Sequence, residues 1–118
     1  RLSGFVSEAG LADRYAAADV AVSLSEYEGF GLPVLEAMSR GVPVVLSRRP
    51  AQDEIFGEAT LLVEPRDVPG IADAIERVLE DEGPRADLVA RGLALAGRFS
   101  WAETARQTRD VLARAAQG

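Results

Sequence analysis

Glu28 and Glu36 are the two side chains of this sequence whose type and spacing point to chemistry. They bracket Glu28-Gly29-Phe30-Gly31-Leu32-Pro33-Val34-Leu35-Glu36, a stretch between an apolar run, Val20 to Leu24, and a helix-like segment ending near Gly41. The order strand, glycine loop, helix puts a helix N-terminus at the loop, with unpaired N–H groups and the positive end of the dipole. Anions, phosphates above all, bind at such ends. Gly29 and Gly31 would let the backbone approach a ligand and take dihedrals that other residues resist. Pro33 suits the first helical turn, where its missing N–H is not needed. Glu28 lies in the loop and Glu36 about one turn into the helix, so they are no i,i+4 pair on one face. They suit two parts of one extended ligand, with a phosphate over the Gly31–Leu32 amides and hydroxyl groups to either side. A carboxylate accepting from a hydroxyl contributes roughly 1.5–3 kcal/mol. Diol, diphosphate, diol is the pattern of a nucleotide sugar.

The elements that must position this loop follow from periodicity. Arg1 to Val6 is a short strand candidate, and Ser7 caps a helix with Leu11, Ala12, Tyr15 and Ala18 as its stripe. Val20 to Leu24 suits a buried parallel strand. A helix from Leu32 to Arg40 stops at Gly41, and Val42 to Ser47 is a second buried strand that tolerates Pro43 near its start. Residues 48–57 read as a charged loop and Thr60 to Val63 as a third strand. Asp67 caps an amphipathic helix with Val68, Ile71, Ala72, Ile75, Val78 and Leu79 at helical spacing. Glu80-Asp81-Glu82-Gly83-Pro84 breaks it, and a further helix runs from about Arg85 to Arg98. Ser100-Trp101-Ala102-Glu103 is a capping box that opens the last helix, whose stripe is Ala105, Thr108, Val111, Leu112 and Ala115. The alternation implies an α/β fold, a partial Rossmann-like parallel sheet with flanking helices. Residues 1–118 read as a single domain with C-terminal helices from about 84. Ligands of such sheets bind beyond the carboxyl ends of the strands, where the Glu28–Glu36 loop lies.

Composition excludes several functions. The net charge of −6 disfavours nucleic acid and anionic membranes as partners. Without cysteine there is neither a disulfide framework nor thiolate chemistry, and without histidine no histidine base, triad or metal ligand. All thirteen basic residues are arginine. No apolar run reaches membrane-spanning length. A cytoplasmic location is expected, or a membrane-peripheral one through a domain outside this chain. The sequence starts at Arg1 and enters structure at once, so it reads as a piece of a longer chain.

Glu-Gly-Phe-Gly-Leu-Pro-Val-Leu-Glu-Ala-Met followed by Gly41-Val42-Pro43-Val44-Val45 resembles the E-x7-E motif of retaining GT-B glycosyltransferases of the family-4 type, the glycosyl transferases group 1. Phe-Val-Ser with Leu-Ala-x-x-Tyr-Ala-Ala-Ala-Asp, then Pro-Val-Val, Leu-Leu-Val-x-Pro and Phe-Ser-Trp come in family order, so the resemblance covers most of the chain. It implies the second half of the C-terminal, donor-binding domain, a nucleotide-diphosphate-sugar as substrate, and no bound metal or cofactor. Glu28 would be the catalytic candidate and contact the donor sugar, and Glu36 would hold the ribose. The backbone of Gly29, Phe30, Gly31 and Leu32 would meet the sugar and diphosphate. Gly4, Phe5 and Val6 align with the segment near the nucleobase. The N-terminal acceptor domain lies outside this chain, as do the arginine and lysine that neutralise the diphosphate. The chain departs from the pattern at Leu24, at Arg48-Arg49-Pro50-Ala51 and at Asp53, where proline, a small glycine-containing loop and proline are common.

The leading reading is therefore the donor-binding part of a retaining sugar transferase, inactive by itself. The alternatives are a non-catalytic nucleotide-binding module, a self-associating Rossmann-like module and a sugar-nucleotide epimerase of the same architecture. Phe30 and Trp101 read as core packing, and Glu26 and Tyr27 as surface or packing. Arg48 and Arg49 stand at the same strand edge as the site; as loop arginines they read as solvated, with phosphate contact the lesser reading.

Overall fold

The centre of the fold is Val44-Val45-Leu46-Ser47, a run buried along its whole length. A strand covered on both faces reads as continuous apolar sequence. In the computed structural model, which describes residues 3–118, this strand, β2 (Val44–Ser47), lies between β1 (Ala21–Ser23) and β3 (Leu61–Val63). Both pairings are parallel, with Val22 opposite Val45 and Leu46 opposite Leu62. Alternate β2 side chains enter different cores, as the two-residue period of a strand requires. Val44 and Leu46 join Val34, Ala37, Met38 and Phe56 on one face, and Val45 joins Val63, Ala74, Val78 and Leu88 on the other.

Parallel neighbours need crossover connections, and the helices supply them. They are α1 (Glu8–Ala16), α2 (Leu32–Ser39), α3 (Pro50–Phe56), α4 (Val68–Glu80), α5 (Glu82–Ala96) and α6 (Trp101–Gln117). The α5 helix packs against both α2 and α4. Its Gly92 lets it close on α2, since a Cβ there would lie 3.2 Å from Met38 Cγ. The expected caps form at Ser7, Asp67 and Ser100, whose side chains accept from Gly10, Gly70 and Glu103 N–H.

Several expectations are corrected. No strand forms over residues 3–6, where Gly4 takes a left-handed φ of 64° that interrupts extended backbone; Arg1 and Leu2 lie outside the described residues. Residues 48–57 are not a loop: Pro50 opens α3, and the Asp53 carboxylate accepts from Arg49 N–H at 3.2 Å, securing its first turn. The break at 80–84 shrinks to Asp81, and α5 starts at Glu82, because Gly83 and Pro84 fit a first turn that asks for no N–H bonds. The capping box at Ser100 closes on one side only, since the Glu103 carboxylate turns instead to Arg106 and Gln107. Trp101 is not core: it is 78% exposed on α6, a helix without buried residues.

Candidate functional site

The loop from Leu24 to Gly31 leaves the carboxyl end of β1 and turns into α2 at Gly31. Gly31 adopts φ 94° and is buried, and a Cβ there would lie 3.2 Å from the Phe56 ring. Only glycine meets both demands without strain. As the residue ahead of α2 it offers no capping side chain. Val34 and Leu35 N–H close onto Gly31 C=O, and Pro33 has no N–H. Among the described residues this leaves Leu32 N–H as the first-turn donor without an internal partner. Gly29 is different. Its φ is not positive and a Cβ would meet nothing within 4 Å, so the expectation of special dihedrals holds at Gly31 and not at Gly29.

Phe30 holds the loop by its middle. Its ring stands edge-to-face with Phe56, centroids 5.8 Å apart, and with Phe99 at 5.4 Å. Such pairs add about 0.5–1.5 kcal/mol each beyond area burial. Phe30 packs against core rings as expected, although the residue is 37% exposed and lies at the core's edge. Glu28 and Gly29 are left exposed beside it. Ser47 Oγ donates to Ser25 C=O at 3.1 Å, tying the end of β2 to the same loop.

Glu36 is exposed on α2 and faces α1. The Tyr15 hydroxyl lies 3.3 Å from both Glu36 Oε2 and Pro33 C=O, and Arg40 sits 5.4 Å over the Tyr15 ring. Partial burial, then the Glu36 charge and its hydrogen bond, raise the phenol pKa above its ordinary value, against the opposing pull of Arg40. Tyr15 thus orients one of the two carboxylates. The sequence shows Tyr15 only as part of a helical stripe, because the contact crosses 21 positions. Phe99 and Gln52 are missed for the same reason. Gln52 is 2% exposed with neither amide atom partnered, and its Nε2 would be 3.4 Å from a Gly31 Cβ.

Phe5 and Val6, the nucleobase candidates, precede α1 in irregular backbone; Phe5 is 98% exposed, and Val6 is half-buried beside Gly10. Their link to the loop runs through α1 and Tyr15. Glu26 is tied to Arg66 at 2.9 Å, and Tyr27 is 94% exposed. Arg48 pairs with Asp53 and Glu64, each at 3.2 Å, whereas Arg49 is half-buried with Nε unpartnered. Among the described residues no group of three or more carboxylates could hold a metal ion, and no helix is long and apolar enough to cross a membrane.

A family model described as "Glycosyl transferases group 1" matches residues 1–94. The chain is 47% identical over 108 residues to an O-antigen chain mannosyltransferase B from Escherichia coli, covering 92% of this chain and 28% of that relative. It is 42% identical over 113 residues to a D-inositol 3-phosphate glycosyltransferase from a Nocardioides species, covering 93% and 24%. A sucrose-phosphate synthase structure from Thermosynechococcus elongatus is similar with TM-score 0.84 and 34% identity, over 97% of this chain and 29% of that one. The chain therefore spans 24% to 29% of the length of these three relatives.

Proposed function

This chain belongs to the glycosyl transferases group 1 family, and on that premise we propose that it carries the donor half of a retaining, metal-independent sugar transfer from a nucleotide-diphosphate-sugar. One observation carries this reading: the uncapped start of α2, with Leu32 N–H free, lies between two exposed carboxylates. The diphosphate rests on the Gly31–Leu32 amides. Glu28 accepts from hydroxyls of the donor sugar and is the catalytic candidate. Glu36, oriented by Tyr15, accepts from the ribose. Gly29 and Phe30 line the donor with backbone. As the sugar–phosphate bond breaks, its electron pair moves to the diphosphate, and the α2 dipole and Leu32 N–H stabilise the growing charge. This source of compensating charge supports a mechanism without a metal. The acceptor and its domain are supplied from outside this chain, in the cytoplasm or at its membrane face.

The test is ligand-observed NMR with UDP, GDP and ADP and their sugar derivatives, with Glu36→Ala as control. The mannosyl named for the E. coli relative makes a nucleotide-linked mannose the first donor to try. One nucleotide should bind, and Glu36→Ala should weaken it by about tenfold or more, the loss of one or two charge-assisted bonds. Binding untouched by Glu36→Ala would refute the ribose assignment. No binding by a folded chain would refute a self-sufficient donor site.

A further inference from the structure

A cavity of about 640 Å³ opens at the carboxyl edge of the sheet, where the first residues of the Leu24–Gly31 loop form one of its walls. Its walls come from the segments that follow all three strands: Glu26 and Tyr27 after β1, Arg49 after β2, and Glu64, Arg66 and Asp67 after β3. Parallel sheets place their ligands at this edge.

The carboxylates of these walls are all engaged, and one cation is not. Glu26 is held by Arg66, at 2.9 and 3.2 Å. Glu64 is held by Arg48 at 3.2 Å. Asp67 accepts from Gly70 N–H and caps α4. Arg49 is the cavity's remaining cation, and among the described residues no carboxylate partners it. Its Nε is buried without an acceptor, although its own backbone N–H is satisfied by Asp53. That nitrogen alone is closed off and unpaired, which is costly, and a shift of the side chain toward an acceptor in the cavity it lines would relieve it. Arg49 therefore calls for an acceptor of planar or tetrahedral oxyanion shape, which the guanidinium fork matches. Around it the walls supply the opposite chemistry, carboxylate oxygens and the Tyr27 hydroxyl, which accept from hydroxyls.

The geometry points to a second ligand subsite here, one that takes a hydroxyl-bearing molecule with a single anionic group, phosphate or carboxylate. The anion sits on Arg49 and the hydroxyls on Glu26 and Glu64. This subsite needs no nucleotide at α2.

The test is a ¹⁵N NMR titration of the chain with inorganic phosphate, glycerol 3-phosphate and glycerol, each at constant ionic strength. The Arg49 Nε–Hε signal, assigned through its own side-chain carbons, and the Gly31 and Leu32 amides are followed together. The Arg49 signal should shift saturably with both anions and not with glycerol, with glycerol 3-phosphate about tenfold tighter than phosphate from one added charge-assisted bond. The Tyr27 and Arg66 amides of the same walls should shift with it, and Arg49→Gln, checked by its otherwise unchanged spectrum, should abolish their response to both anions. An Arg49 signal that stays still, or that moves equally with chloride, overturns the subsite. Movement of Gly31 and Leu32 alone also overturns it and leaves the donor reading intact. Movement of Arg49 while a nucleotide sugar leaves Gly31 and Leu32 unmoved supports the subsite and counts against the donor reading.

Discussion

Gly29 and Gly31 share a residue type for unlike reasons. Gly31 is required by the backbone, at φ 94° with the Phe56 ring against it. Gly29 has open space where a side chain would go. Gly31→Ala should therefore lower stability by about 1–3 kcal/mol, read by thermal melting. Gly29→Ala should leave the melt within about 0.5 kcal/mol of the parent while obstructing the donor, read by nucleotide-sugar affinity. Equal melts for the two would sink the distinction. Tyr15→Phe removes the hydroxyl facing Glu36. Nucleotide affinity should fall roughly two- to tenfold, the worth of one hydrogen bond, and an unchanged affinity would take Tyr15 out of the site. Gln52 invites the opposite kind of change. Its buried, unpartnered amide costs about 1–3 kcal/mol, so Gln52→Leu should raise the melting temperature; a lower one would reveal a partner for the amide. Glu28 and Glu36 stand out as candidates in the sequence because their spacing is local. Tyr15, Gln52 and Phe99 do not, because each acts across a distance along the chain that no local period encodes.

Among the elements, α2, β2 and α4 were readable within one or two residues, since glycine stops, apolar runs and helical stripes specify them locally. The α3 helix was hidden. Seven residues, opened by proline and crowded with charge, carry too little apolar period to announce a helix. What forms it is the Asp53 bond to Arg49 N–H and the burial of Phe56, which is 0% exposed. The α6 helix yields a pH prediction. The Arg106 guanidinium, followed by the Gln107 amide, holds the Glu103 carboxyl down to about 2 from its ordinary 4.5. A lowered value means that the folded helix favours the carboxylate. The stabilisation is therefore present above pH 4.5 and is lost as pH falls from there through 2. Far-UV circular dichroism should show helix signal declining across that window, and Glu103→Gln should flatten the decline. Because the pair is exposed, added salt should shrink the effect.

The whole molecule measures 55 × 31 × 29 Å. The α6 helix buries none of its residues and leaves Trp101, Val111 and Leu112 open to solvent. Val111 and Leu112 fall on the helix's apolar stripe and Trp101 reads as core packing, because amphipathic period marks a face but not whether anything covers it. Trp101 emission should match that of a hydrated indole, and Trp101→Ala should leave the melt within about 0.5 kcal/mol of the parent. A blue shift growing with concentration would instead identify self-association through α6. The α/β class was legible because parallel strands and crossover helices alternate along the chain. The missing first strand was not, since a strand needs a neighbour as well as apolar residues.

The close seating of Gly92 on Met38 has a further consequence. The sequence contains one methionine and no cysteine, so Met38 holds its only sulfur. Met38 is 1% exposed, on the same helix that presents Leu32 N–H and Glu36. Peroxide can convert it to a sulfoxide only when the packing around α2, the α5 contact included, opens. The rate of that single-site oxidation, followed by intact mass, is thus a clock for the opening of the site helix, and a ligand seated on α2 should slow it.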